Sequence, residues 1–151
     1  MNGHDLIEFI ENSQSMRNKL YGIYSTEIDM FKANAAKPLV ILNTEPDNTK
    51  VGHWVCMYMT SPVEFFDPLG HSPDYYSKHF VNFMINFSRT YVYSTKQVQG
   101  LNSILCGLYV LYFLHYRTNG YKFEDILSTF TNKFKENDNI VLNFYIENKH
   151  I

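Results

Sequence analysis

Ile104 to Tyr116 reads Ile-Leu-Cys-Gly-Leu-Tyr-Val-Leu-Tyr-Phe-Leu-His-Tyr, an apolar run with almost no polar face at helical spacing. Such a helix is stable only when other elements surround it, so the segment predicts the buried central helix of a packed domain. Thr118-Asn119-Gly120 supplies a left-handed stop behind it. At its front, Cys106 stands where a polar loop, Thr95 to Ser103, meets the helix. Backbone N–H groups at a helix start have no intrahelical acceptor and carry the positive end of the macrodipole, so a thiolate there is stabilised. The same N–H groups can receive an oxyanion.

The remaining chain supplies what could enclose that helix. At 151 residues it fits a single domain, 1–151, and with 45% hydrophobic and 17% aromatic residues it has the side chains to fill a core. Leu6, Ile7, Phe9 and Ile10 have helical spacing within His4 to Asn12, and Tyr21 to Ala36 reads as turn-rich. Pro38 to Asn43 reads as a buried strand and Val51 to Thr60 as an alternating one, with His53, Val55, Met57 and Met59 opposed to Trp54, Cys56 and Tyr58. After Ser61-Pro62, Val63 to Asp67 reads as a hairpin partner that returns Asp67 beside His53. Ser72-Pro73-Asp74 opens a helix reaching Phe87, and Arg89 to Ser94 reads as a strand. Phe123, Ile126, Leu127 and Phe130 mark an amphipathic helix, while Ile140 to Ile146 fits either a helix or a strand.

Several function classes are disfavoured. No apolar run approaches a membrane span and no signal peptide opens the chain, so it reads as soluble, intracellular and without membrane association. Two cysteines give no disulfide framework, and with six histidines they show no zinc-ligand spacing, so neither a metal nor a cofactor is expected. A net charge of −2 leaves no electrostatic footprint for tight nucleic-acid binding.

Thiol catalysis needs a nucleophile, a base, a group that orients the base, and donors for the oxyanion. Cys106, His53 and Asp67 are candidates for the first three, and the Gln99 side chain with the Cys106 N–H for the fourth. Each has a plainer reading: a small buried hydrophobe, a margin histidine, a turn aspartate and a solvated glutamine. Cys56, mid-strand, reads as packed, and His115 as a core histidine. His71 is a candidate cleft residue, while Trp54 fits either the core or a cover over the cleft.

The order His, Asp, Gln, Cys, with its flanks, resembles the adenovirus-type (adenain-like) cysteine proteinase family. The matching stretches are Tyr21-Gly22-Ile23-Tyr24, Ile41-Leu42-Asn43-Thr44, Gly52-His53-Trp54, Phe66-Asp67-Pro68-Leu69-Gly70, and Ser94 through Tyr109 with Phe113-Leu114-His115. Together they span roughly residues 20 to 117. The resemblance implies an α+β fold of the adenain and ubiquitin-like-protease type, related to papain, with a central buried helix packed on a mixed sheet. It implies a thiol endopeptidase that matures virus structural proteins, in the virion and the infected cell, with capsid or other structural precursors as substrates. Cleavage after glycine in a small-residue motif is implied too, and Gly52, Trp54, Gly100 and Asn102 become candidate substrate-binding residues. Similar blocks occur in proteases of virophages and Polinton-like elements.

Three features depart from the adenovirus pattern. Asp67 stands where the family often has Glu, and still offers a carboxylate. Ser88 stands where the family's cysteine joins an activating peptide, so any activating peptide here is not disulfide-linked. The 13 Lys and Arg against 15 Asp and Glu lack the basic balance of DNA-activated relatives. The nearest rival is a peptidase that deconjugates SUMO or ubiquitin. Those enzymes place the oxyanion glutamine one residue nearer the cysteine than the seven-residue separation of Gln99 and Cys106. The second rival is an inactive protease fold kept as a binding module.

Overall fold

The computed structural model describes residues 1–28, 32–45 and 52–149. Alternating apolar segments form a five-stranded sheet ordered as in the sequence: β1 (Leu20–Tyr24), β2 (Leu39–Asn43), β3 (Trp54–Tyr58), β4 (Val63–Phe66) and β5 (Tyr91–Tyr93). The outer pairs are parallel and the inner pairs antiparallel, so the sheet is mixed. The helices are α1 (Gly3–Glu11), α2 (Pro73–Tyr76), α3 (Lys78–Phe87), α4 (Cys106–Thr118), α5 (Phe123–Leu127) and α6 (Phe134–Asn148).

Because neighbouring strand residues face opposite ways, each central strand feeds two cores. Leu39, Ile41, Cys56 and Phe66 pack with α1, α4, α5 and α6. Val40, Leu42, Val55, Met57 and Phe65 pack with α3 on the other face. The alternation expected for Val55, Met57 and Met59 against Trp54 and Cys56 is present. Helix α4 is the axis of the larger core, with every residue from Cys106 to Leu114 buried. Phe113 stacks on Phe66 at 4.8 Å and meets Phe123 edge-on at 5.7 Å. At the far end of α4, Arg117 grips Glu64 of β4 with two hydrogen bonds of 2.7 and 2.9 Å and lies over the Tyr58 ring. The helix is thereby fixed to the sheet along its length.

Several elements differ from expectation in extent or type. The turn-rich stretch from Tyr21 contains most of β1, a half-buried strand whose register shifts between Leu20 and Gly22, which interrupts its apolar pattern. The helix expected from Ser72 to Phe87 breaks at Ser77, whose backbone is extended (φ −165°, ψ 132°). Ser77 Oγ donates to Thr26 O at 2.8 Å and accepts from the His79 N–H at 3.1 Å, so it ends α2 and caps α3. Helix α4 starts at Cys106 rather than Ile104, and Ile104 is 85% exposed. The stretch that fitted either a helix or a strand lies in α6, which buries only Asn137, Val141 and Phe144, a stripe too narrow to set a helical period in the apolar residues alone. The strand expected from Val51 to Thr60 is observed over Trp54–Tyr58, and Val51 lies outside the described residues. The strand at Arg89 to Ser94 shortens to Tyr91–Tyr93, and the helix from Phe123 ends at Leu127, leaving Phe130 in the core behind it.

Phe113→Ala is expected to cost about 3–5 kcal/mol, because it empties the contact between α4, the sheet and α5. Urea unfolding measures this, and a loss below about 1 kcal/mol would contradict the central place of α4.

Candidate active site

The antiparallel register that pairs Cys56 with Phe66 sets the start of β3 beside the end of β4. His53 directly precedes β3, Asp67 directly follows β4, and Cys106 opens α4. His53 Nε2 and Asp67 Oδ1 are 2.6 Å apart. The imidazole also stands against the Cys106 thiol, and each group acts on the other's titration. With Nε2 engaged by Asp67, Nδ1 is the ring nitrogen left for the sulfur. The Trp54 N–H donates to Cys106 Sγ at 3.4 Å. The three residues that the sequence nominated are thus brought together at one site.

Asp67 is fully buried, and four donors keep it ionised. Oδ1 accepts from His53 and from the Leu69 N–H at 2.9 Å; Oδ2 accepts from the His71 N–H at 3.2 Å and the Tyr76 hydroxyl at 2.5 Å. Burial alone would raise its pKa, but the His53 bond and charge, with the Tyr76 and Leu69 bonds, hold it below the usual carboxylate value. Tyr76 is a site residue that sequence reading missed. Its signal is only a tyrosine in the short helix after the Asp67 turn, the kind of residue that also fills cores.

Burial opposes charge on His53 as well, yet the bonds to Asp67 and Cys106 outweigh it and push the imidazole up to about 9. Burial likewise opposes the Cys106 thiolate, and the His53 bond, the Trp54 N–H and the His53 charge together lower the thiol below its ordinary value. Both shifts act toward an imidazolium–thiolate pair and away from the neutral one. The other cysteine behaves oppositely. Cys56 is fully buried and its thiol is pushed well above the ordinary value by burial, with the Glu64 and Asp67 charges adding to it.

Gln99 is buried beside Cys106 in a cleft of ≈ 330 Å³ that His53, Leu69 and Ser103 also line. Its Nε2 donates to Ser103 O at 3.1 Å, while its Oε1 is buried without a partner. Turning the amide over would oppose two oxygens, so the observed orientation is the favourable one, and the second N–H of Nε2 remains for another acceptor. The loop is tied to the Asp67 turn: the N–H groups of Val98 and Gln99 both donate to Pro68 O, at 2.9 and 3.0 Å. Gly70 makes that approach possible. Its φ is +81°, and a Cβ there would lie 2.9 Å from the Gln97 backbone N and 3.0 Å from Thr95 O.

Of the candidate substrate-binding residues, Gly52 and Gly100 line the cleft. A Cβ on Gly52 would come within 2.1 Å of Asn43 Oδ1 and 2.7 Å of Glu45 Cγ, so a larger residue there would have to displace both side chains. Asn102 lines the adjoining depression with Phe134 and Lys135 rather than the cleft itself, although its neighbours Leu101 and Ser103 line both. Trp54 resolves to the core: its ring is 4% exposed and its indole N–H donates to Met1 O, so only its backbone serves the site. His71 stacks on Tyr75 at 4.0 Å beside the Asp67 turn, and its backbone N–H serves Asp67. His115 lies toward the opposite end of α4, edge-on to Phe144 and shifted down by burial. Ser88 Oγ lies 3.0 Å from Ser61 Oγ.

No protein-family model matches the chain, and no curated protein matches it. Among solved structures, it is similar to the central domain of the uncharacterized Lpg1148 protein from Legionella pneumophila, at 17% identity and a TM-score of 0.54, over 97% of this chain and 95% of that one. It is also similar to the ASFV pS273R protease, at 16% identity and a TM-score of 0.50, over 87% of this chain. The chain spans 62% of that protease. At these identities the likeness establishes the fold, which is the α+β protease fold expected, with its central helix on a mixed sheet.

Tyr76→Phe removes one of the four donors to Asp67 while keeping the ring. A carboxylate held below its ordinary pKa stabilises the fold above that value and loses the contribution as pH falls through the folded value. The variant is expected to lose about 1–2 kcal/mol at pH 7 and to unfold in acid at a higher pH than the wild type. Acid titration followed by circular dichroism checks this, and coincident transitions would show that the hydroxyl does not support the carboxylate.

Proposed function

We propose that this protein is a cysteine endopeptidase with Cys106 as nucleophile, His53 as acid–base and Asp67 as the group that orients it. The observation that carries this reading is the hydrogen bond from a buried, four-donor carboxylate to His53, whose imidazole shares a cleft with a thiol at a helix start. The thiolate attacks the carbonyl carbon of the scissile peptide bond, forming a C–S bond while the carbonyl electron pair moves onto oxygen. The Cys106 N–H and the free Gln99 Nε2–H are the donors for that oxyanion. As the intermediate collapses, the C–N bond breaks, His53 delivers its proton to the departing amine, and a thioester remains. Water then attacks the thioester while His53 takes its proton; the C–S bond breaks, the carboxylic acid product leaves, and the Cys106 thiolate is restored beside a protonated His53.

The substrates we propose are precursors of virus structural proteins, cut after glycine during assembly in the virion or the infected cell. Two glycines on the cleft walls and a restricted volume support this, since a narrow groove excludes bulky side chains near the scissile bond. An activating peptide, if the enzyme uses one, would bind without a disulfide, because Ser88 is bonded to Ser61 and neither cysteine lies on an open surface.

Peptides carrying a small-residue motif that ends in glycine should be cleaved after that glycine. Cys106→Ala is expected to abolish cleavage, a fall of at least about 10⁴-fold, while leaving the circular dichroism spectrum unchanged. Full activity in that variant would end the mechanism, and cleavage of a SUMO or ubiquitin conjugate with no cleavage of a capsid precursor would move the enzyme to the deconjugating class.

The titration behaviour gives a further expectation. Activity needs His53 protonated and Cys106 ionised, so kcat/KM should fall as pH rises through about 9, where His53 loses its proton. A raised histidine also stabilises the fold in full below its ordinary value of 6.5 and loses that contribution as pH rises through about 9. A pH–rate profile with its alkaline limb near 7 would contradict the ion pair.

A further inference from the structure

Helix α6 touches both ends of the loop that carries Gln99, through two adjacent residues. Asn137 is fully buried. Its Nδ2 donates to Val98 O at 2.8 Å, immediately before Gln99, and to Thr131 O at 2.8 Å, while its Oδ1 accepts from the Thr131 N–H at 2.9 Å. Every hydrogen-bonding group of that carboxamide is engaged, so it is a fixed post. Asp138 holds the other end. Its Oδ1 accepts from Ser103 Oγ at 3.1 Å and from the Tyr109 hydroxyl at 2.6 Å. Ser103 in turn accepts the Gln99 Nε2–H on its carbonyl, and its hydroxyl accepts the Leu105 N–H at 3.2 Å. Tyr109 sits in the first turn of α4, three residues beyond Cys106.

We propose that Asn137 and Asp138 are positioning residues for the oxyanion hole, clamping the Gln99 loop so that the carboxamide stays aimed at the carbonyl attacked by Cys106. This rests on the peptidase reading above. The physical reason is the geometry of the loop. Along one side, Pro68 O accepts the Val98 and Gln99 N–H groups and ties the loop to the Asp67 turn. On the opposite side the anchoring comes from α6, and the Asp138–Ser103–Gln99 relay ends on the atom that must face the oxyanion. Through Tyr109 the same carboxylate also fixes the loop against the helix that bears the nucleophile. Oxyanion stabilisation depends on donors already in place, so a loop that shifts by a fraction of an ångström loses rate without losing the thiolate.

That distinction gives the test. Attack on a peptide uses the oxyanion hole; alkylation of Cys106 by iodoacetamide, a displacement at saturated carbon, does not. The full chain and its Asp138→Ala, Asp138→Asn and Ser103→Ala variants are compared in three measurements. These are kcat and KM on a fluorogenic glycine-ending peptide, inhibition by the aldehyde of that peptide, and the alkylation rate from pH 5 to 9. Asp138→Ala is expected to lower kcat by about 10–100-fold with KM changed less than about threefold, and to weaken the aldehyde in proportion. Its alkylation profile should match the wild type. Asp138→Asn keeps an acceptor for both hydroxyls and should recover most of kcat. Ser103→Ala, which breaks the relay with a small change in volume, should reproduce the loss and serves if Asp138→Ala does not fold.

Unchanged kcat in both Asp138→Ala and Ser103→Ala, with an active wild type, would overturn this assignment alone. So would alkylation that falls in parallel with kcat, which marks general damage to the site. A wild type that alkylates rapidly but cleaves none of the peptides would overturn the peptidase reading and this assignment with it.

Discussion

The Asp67 carboxylate is the constraint on which the site depends. A buried anion is costly unless donors surround it, and here the four donors come from three places in the chain. His53 precedes β3, Leu69 and His71 belong to the turn after β4, and Tyr76 belongs to α2. Satisfying one charge therefore fixes the exit of β4, the entry of β3 and the position of a short helix together. The charge also holds the histidine proton in place, and the histidine acts in turn on the thiol. Substituting Asn for Asp67 would keep much of the shape and remove the electrostatic cause.

The triad was legible because its signals are local and its geometry follows from simple topology. A hairpin places the residue before one strand beside the residue after the next, which is how His53 and Asp67 meet. An apolar helix with a cysteine at its start likewise announces a buried axis. What escaped sequence reading depends on contacts between distant elements. The break at Ser77 is imposed by Thr26, fifty-one residues away, which no local propensity encodes. Strand β1 was hidden by its glycine and its half-buried setting. Helix α6 carries a single buried stripe, and one of its three buried residues is an asparagine, which apolar periodicity counts against burial. Trp54 and Asn102 were nominated for the cleft by neighbourhood in sequence; a strand turns alternate residues away, and a loop can hold one residue out of a cleft that its neighbours line.

The site joins two kinds of order. One half, the carboxylate and imidazole, is set by the ends of paired strands and inherits the stiffness of the sheet. The other half, the glutamine and the first N–H groups of α4, is set by a loop and by helix packing. They meet at Pro68, whose carbonyl accepts two N–H groups from the Gln99 loop directly after Asp67. A glycine at position 70, with a backbone conformation that other residues adopt at a cost, lets the two halves come this close.

The chain's two cysteines have opposite fates, and this has a practical result. Cys56 is sealed in the sheet with its thiol held neutral, whereas Cys106 borders the cleft and is held toward the thiolate. In the folded protein a small electrophile thus meets one responsive sulfur per molecule. The quantity of label taken up counts competent active sites directly, and it separates folded from unfolded material in a preparation, because unfolding would double the number of thiols on offer.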